Sequence, residues 1–236
     1  MNVLIPMSGR GSRFLETHTL PKPLIEIKPN LTMIELVVKN LNINGRIIFL
    51  VLKEHYEKYP LKEILNKTSN NIEIVIVDSV TEGAACTSLL AKELINNEDS
   101  LFIANSDQYV DNWNYNDFID KMTRENADGG IVTFKSTDKK WSFVRLNEND
   151  DVIEVAEKKP ISDKATVGFY WWKKGSDYVK YAEQMIQKNI RVNNEFYIAP
   201  TYNQAINDNK IIKTFDVEGM NGLGTPTDLN EFLKKL

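Results

Sequence analysis

The feature that most constrains the fold is a series of short, almost uninterrupted apolar runs, each followed by an amphipathic stretch. Val3–Pro6, Arg46–Leu52 (RIIFLVL), Ile72–Val77 (IEIVIV), Leu101–Ala104 (LFIA) and Gly130–Phe134 (GIVTF) read as strands. Met33–Leu41, His55–Asn66, Ala84–Ile95 and Phe118–Arg124 carry helical spacing between or after them. Strands with so little alternation are buried on both faces, as in a parallel sheet covered by helices. Strand–helix alternation of this kind builds a doubly wound α/β sheet. Ligands then bind outside the carboxyl ends of the strands. Function is therefore expected directly after Pro6, after Val77 and after Ala104.

The second half has a different texture. Lys140–Leu146, Asp151–Val155 and Val167–Trp172 read as strands, the first two separated by a turn at Asn147–Asp150. Tyr178–Lys188 reads as a helix, and Glu195–Ile206 as another, interrupted or restarted at Pro200. Ile211–Asp216 follows as a strand and Asp228–Leu236 as a last helix, with Thr227 or Asp228 near its N-cap. No repeat, low-complexity tract or linker interrupts the chain. One domain over residues 1–236 is expected, with its strand–helix half over about 1–135 and a second half over about 136–236.

Composition removes several function classes. A net charge of −4 does not suit a general nucleic-acid binder. Cys86 is the single cysteine, so no internal disulfide forms, and no Cys/His cluster has zinc spacing. The start MNVLIPMSGRG lacks the charged and long apolar regions of a signal peptide. No apolar stretch approaches the roughly 20 residues needed to cross a bilayer. The expectation is a cytoplasmic protein with neither nucleic acid nor membrane as partner.

The three expected positions carry chemistry. After the first strand comes Met7 and then SGRGSRF, Ser8–Phe14, followed by Pro21-Lys22-Pro23. Gly9 and Gly11 permit backbone angles that aim several N–H groups, including that of Ser12, at one phosphate. Arg13 adds a forked cation and Lys22 a mobile point charge. Glycines alone would be an ordinary turn. Together with two cations they point to a polyphosphate. The loop is neither a Walker loop nor a GxGxxG dinucleotide fingerprint. After the third strand comes Thr81-Glu82-Gly83-Ala84-Ala85, a small-residue turn that a flat base could approach, or a helix start capped by Thr81. After Ala104 comes Asn105-Ser106-Asp107-Gln108. A carboxylate there suits Mg²⁺, which takes oxygen ligands and shares them with phosphates. His18, His55 and Cys86 have no partners at useful spacing, and no Ser-His-Asp arrangement is visible.

These motifs, in this order, resemble the sugar-nucleotide pyrophosphorylases. These are nucleotidyltransferases with a Rossmann-like, GT-A-like fold: a mixed, mostly parallel sheet with a smaller substrate-binding β/α part. The resemblance runs over nearly the whole chain, through PMSGRGSRF, PKPLI, TEGAACT, NSDQ, KWSFVRL, EKKPISDKATVGFY, NEFYIAP and GLGTPTDL. It is nearest to a subgroup from bacterial capsule and surface-polysaccharide loci. It implies that an NTP and a small phosphorylated acceptor are joined with release of pyrophosphate. Arg13, Lys22 and Asp107 would be catalytic, with Asp107 holding Mg²⁺. Met7, Ser8, Gly9, Gly11, Ser12, Arg13, Thr81, Glu82, Gly83 and Ser106 would contact the nucleotide. Gln108, Glu157, Lys158, Lys159, Thr166, Gly168, Glu195 and Tyr197 would contact the acceptor, the doubled lysine leaving its register open. Glu195 and Tyr197 would lie on a substrate-pocket helix. Members are often dimers or tetramers, which allows a homo-oligomer here.

One departure stands out. Many members place a second metal-binding Asp before a Gly-Thr near the C-terminus, where this chain has Gly222. The alternatives are a GT-A glycosyltransferase consuming a sugar nucleotide, and a non-catalytic nucleotide-binding module. The glycosyltransferase would typically carry a DxD motif in place of NSDQ.

Overall fold

The computed structural model describes residues 1–14 and 16–236. The chain opens with β1 (Asn2–Pro6), the short strands β2 (Glu26–Lys28) and β3 (Leu31–Thr32), α1 (Met33–Leu41) and β4 (Arg46–Leu52). Then come α2 (Lys53–Lys58), α3 (Leu61–Thr68), β5 (Ile72–Val77), α4 (Ala84–Leu89), α5 (Lys92–Ile95), β6 (Leu101–Ala104), β7 (Gln108–Asp111) and α6 (Tyr115–Arg124). The remainder is β8 (Gly129–Lys135), β9 (Ser142–Leu146), β10 (Val152–Glu157), β11 (Lys164–Trp172), α7 (Gly175–Gln187), α8 (Tyr202–Asn207), β12 (Ile212–Asp216), β13 (Gly219–Gly222) and α9 (Pro226–Leu233).

The central sheet runs β5-β4-β1-β6-β11-β8-β12, with β9 and β10 attached at the amino-terminal half of β11. β1, β4, β5 and β6 are mutually parallel and β12 is parallel to β8, whereas β11 runs against β6, β8 and β9, and β9 against β10. The two halves of the sequence therefore share one mixed, mostly parallel α/β sheet. Both faces are covered over β1, β4 and β6, whereas β5, expected to be buried, lies at the sheet edge with only Val77 fully buried. Val3, Ile5, Phe49, Val51 and Phe102 enter one buried cluster, while their neighbours Leu4, Leu50, Leu101 and Ile103 enter the other. Each such side chain contributes about 1.5–3 kcal/mol on burial.

Several expected elements are cut differently. The helix expected over His55–Asn66 is two helices, because Tyr59 is extended and Pro60 starts the second. The helix expected over Ala84–Ile95 also divides, at Leu90–Ala91. The helix expected over Glu195–Ile206 begins later. Asn193 and Asn194, at φ 49° and 63°, form the tight turn of a hairpin in which Val192 pairs with Glu195. Helical structure starts only at Ala199, so Glu195 and Tyr197 lie outside any helix. The last helix is capped by Thr225, whose hydroxyl accepts from the Asp228 amide at 3.1 Å, rather than by Thr227 or Asp228. β7 and β13 form a separate antiparallel ribbon that returns the C-terminal segment to the chain just after Asp107.

Candidate active site

The carboxyl ends of β1, β5 and β6 open into one cleft of about 480 Å³. The first loop lines it with Met7, Ser8, Gly9, Gly11, Ser12, Arg13 and Lys22, the second with Thr81, Gly83 and Ala84, and the third with Asn105, Ser106 and Asp107. Glu195 and Tyr197, expected to contact the acceptor, also line it. All three positions expected after Pro6, Val77 and Ala104 thus meet in one place.

Polar bridges staple the loops to one another. Lys22 Nζ donates to Asp107 Oδ2 at 2.7 Å, joining the first loop to the third. A row of hydroxyls joins the first to the second: Ser8 Oγ lies 3.4 Å from Thr87 Oγ1, which lies 2.6 Å from Thr81 Oγ1. Thr81 Oγ1 in turn donates to the Gly83 carbonyl at 2.9 Å. Thr81 thus braces the turn, and the N-cap of α4 is Gly83. The Leu223 amide donates to the Asp107 carbonyl at 2.7 Å, fixing the C-terminal segment against the third loop.

The two glycine-bearing turns differ. A methyl group at Gly9 would meet nothing within 4 Å. A methyl group at Gly83, where φ is 135°, would lie 2.4 Å from the Phe196 carbonyl oxygen and 2.5 Å from its nitrogen. Two backbone hydrogen bonds hold that contact: Phe196 N to Glu82 O at 2.8 Å and Ala85 N to Phe196 O at 3.0 Å. The space expected for a base at Gly83 is therefore filled, on the side where a methyl group would project, by the chain's own backbone. Glu82 does not line the cleft. Its carboxylate is gripped by both guanidinium nitrogens of Arg191 at 3.2 Å each.

The residues expected to contact the acceptor are partly gathered. Lys158, at φ 55°, donates from Nζ to Tyr197 Oη at 2.6 Å and lies 4.8 Å from the centre of that ring. Lys159 is exposed, so Lys158 is the lysine that reaches a cleft residue. Glu157 is half-buried and accepts from Ser142 Oγ. Burial pushes its carboxyl above the usual carboxylate range, offset in part by Ser142 and Lys158. Thr166 is buried against Tyr170, their hydroxyls 3.0 Å apart. Gly168, at φ 83°, lies beneath the side chains of Asn105 and Gln108, which a methyl group there would meet at 2.4 and 2.5 Å. Gln108, Glu157, Lys158, Thr166 and Gly168 thus stand behind the cleft wall.

Among the described residues, Asp107 and Glu195 are the acidic residues lining the cleft, and Asp107 is the one paired with Lys22. Asp216 accepts from Thr133 and Lys164, and Glu218 from Asn112, so both carboxylates are engaged elsewhere. At Gly222 a side chain would project toward Trp141, and at Gly224 toward Asp107 Oδ2. Among the described residues no group of three acidic, His or Cys side chains could hold a metal. One carboxylate facing a phosphate-sized cleft still fits Mg²⁺, which commonly takes one or two carboxylates and completes its shell with phosphates and water. Burial pushes the Cys86 thiol up, which disfavours a nucleophilic role.

Sequence reading missed Asn105, Thr87 and Gly224 in the cleft lining. The NSDQ and GLGT motifs flagged two of these neighbourhoods. Thr87 carried no signal, because its role depends on Ser8 lying opposite.

A family model described as nucleotidyl transferase matches residues 3–236. Among solved structures, a nucleoside-diphosphate-sugar pyrophosphorylase from Vibrio cholerae RC9 superposes with a TM-score of 0.84 at 24% identity, covering 98% of this chain and 99% of that one. A UDP-glucose pyrophosphorylase complexed with UDP-glucose superposes at 0.78 and 17% identity, over 100% and 99% of the two chains. An inositol-1-phosphate CTP transferase from T. maritima superposes at 0.75 and 16% identity, over 99% and 95%. No curated protein matches the chain by sequence. No described helix is long and apolar enough to cross a membrane.

Proposed function

Since the chain belongs to the nucleotidyl transferase family, we propose that it condenses an NTP with a sugar 1-phosphate or a similar phosphorylated small molecule. The products are an NDP-activated compound and pyrophosphate, supplied to capsule or surface-polysaccharide synthesis in the cytoplasm. The observation that carries this reading is the convergence of the open glycine loop, Arg13, Lys22 and Asp107 on one cleft whose far wall is formed by Glu195 and Tyr197.

An acceptor phosphate oxygen attacks the α-phosphorus of the NTP in line. The new P–O bond forms as the bond to the β-phosphate oxygen breaks, and pyrophosphate leaves with its electron pair. Positioning and charge neutralisation are the protein's work in such a step. Backbone groups of Gly9, Gly11 and Ser12, flanked by Met7 and Ser8, cradle the triphosphate. Arg13 holds the leaving pyrophosphate. Lys22 exchanges its bond with Asp107 for the α-phosphate, where charge builds in the transition state. Asp107, beside Ser106, would hold Mg²⁺, which when bound supplies charge neutralisation to the phosphates. Thr81, Gly83 and Ala84 border the base. Lys158 acts on the acceptor phosphate through Tyr197, and Glu195 faces its hydroxyl-bearing body, with Glu157 behind the wall. Gln108, Thr166 and Gly168 support this side. A glycosyltransferase would instead bind a ready-made sugar nucleotide.

The test is acceptor-dependent pyrophosphate release, with Mg²⁺, over a panel of NTPs, sugar 1-phosphates and phospho-alcohols. One NTP–acceptor pair should turn over, and Lys22→Ala and Asp107→Ala should each slow it by about 10²–10³-fold. Transfer from a sugar nucleotide, with no pyrophosphate from any pair, would overturn the reading.

A further inference from the structure

Beyond the cleft itself, one side chain ties the base-side turn to the acceptor wall without lining either. Arg191 sits in the irregular stretch between α7 and α8 that carries Glu195 and Tyr197 into the cleft. Its guanidinium forks onto both oxygens of Glu82 at 3.2 Å, in the turn that brings Thr81 and Gly83 to the same cleft. Its Nε donates to Asn189 Oδ1 at 2.6 Å and Nη1 to the Asn194 carbonyl at 3.4 Å, across the base of the Asn193-Asn194 hairpin. The same plane lies 4.1 Å from the centre of the Phe196 ring. Phe196 is buried with Ala85 and Met185, so that ring is a fixed platform.

Fork, stack and carbonyl contact use what arginine has and lysine lacks. A lone exposed ion pair contributes little. Here, however, the pair closes a stretch with three asparagines at positive φ, Asn189, Asn193 and Asn194. Without the fork, that stretch keeps the two backbone bonds of Phe196 to the turn, and ordering the rest when the acceptor binds costs acceptor affinity. The base-side turn stands directly after β5 and at the start of α4, so it has less to lose.

We infer that Arg191 is a positioning residue that clamps the Val192–Ile198 stretch onto the Glu82 turn and so pre-forms the acceptor wall. The inference rests on the nucleotidyl-transfer reading above.

The test measures kcat, both KM values and the melting temperature for wild type, Arg191→Ala, Arg191→Lys, Glu82→Gln and the Glu82→Gln/Arg191→Ala pair. Arg191→Ala should raise the acceptor KM by about five- to tenfold, with kcat and the NTP KM within about twofold. Arg191→Lys should recover less than half of that loss, since an ammonium cannot fork or stack. Glu82→Gln should raise the acceptor KM less than Arg191→Ala, and the pair should lose no more than Arg191→Ala alone. An unchanged acceptor KM in Arg191→Ala overturns the inference, as does an equal rise in both KM values with a lower melting temperature, the mark of general loosening. If Arg191→Ala does not fold, the solvent-exposed Glu82→Gln carries the same test. A wild type inactive with every NTP–acceptor pair overturns the underlying reading instead. An active wild type with an indifferent Arg191→Ala overturns this inference alone.

Discussion

Two turns of similar sequence character, Ser8–Arg13 and Thr81–Ala85, stand at the carboxyl ends of parallel strands, and their glycines do opposite things. Among the described residues nothing lies within 4 Å of where a methyl group at Gly9 would be, and the nearest neighbour of one at Gly11 is Lys22, at 3.2 Å. Around Gly83 the protein's own backbone fills the space a side chain would take. The first turn faces the open cleft. The second is welded to Phe196, and its glycine serves the fold. A glycine in a loop therefore says nothing of its purpose until the atoms facing its missing side chain are known.

The largest expected effect breaks the welded turn. Gly83→Ala combines a backbone region that only glycine enters readily with a sub-van der Waals contact to rigid main chain. It should cost about 4 kcal/mol or more, or abolish folding, in a chemical denaturation experiment. Next comes the open turn's partner. Lys22→Ala should lower kcat by about 10²–10³-fold while leaving the melting temperature within about 2 °C. A large loss of stability there would mean that the Lys22–Asp107 bond is structural. A smaller effect separates the doubled lysine: Lys158→Ala should raise the acceptor KM by about tenfold, and Lys159→Ala by less than twofold. The smallest effect on stability is at Gly9, where Ala should change it by under about 0.5 kcal/mol yet raise the NTP KM, because its methyl group enters the cleft. Equal damage from Gly9→Ala and Gly83→Ala would erase the contrast.

A pH series sharpens the acceptor side. Burial raises the Glu157 carboxyl on folding. A carboxyl raised in this way contributes stability below its unfolded value and loses it as pH rises through the folded one. Glu157→Gln should therefore gain on wild type in melting temperature from roughly pH 4 to pH 7. Parallel melting curves would contradict the burial argument.

Much of this was legible because it was local. RIIFLVL and LFIA declare buried parallel strands and IEIVIV a parallel strand that proves to be a partly exposed edge, and the position rule for such sheets then locates the cleft. Arg13, Lys22 and Asp107 were visible because charged groups at strand ends have no packing reason to be there. What stayed hidden depends on distant pairing. Phe196 against Gly83, Arg191 on Glu82 and the β7–β13 ribbon each join segments remote in sequence. The helix misread at Glu195 was a different failure: Asn193-Asn194 is a hairpin signal, outweighed by the apolar spacing that follows it. Pro60 likewise marked the break between α2 and α3.

The most direct measurement uses an NTP chiral at its α-phosphorus, with one sulfur in place of oxygen, and reads the configuration of the NDP-linked product. Direct attack by the acceptor phosphate in this cleft predicts inversion. Retention would require a covalent nucleotidyl-enzyme, and would contradict a mechanism in which the protein only positions the reactants and neutralises their charge.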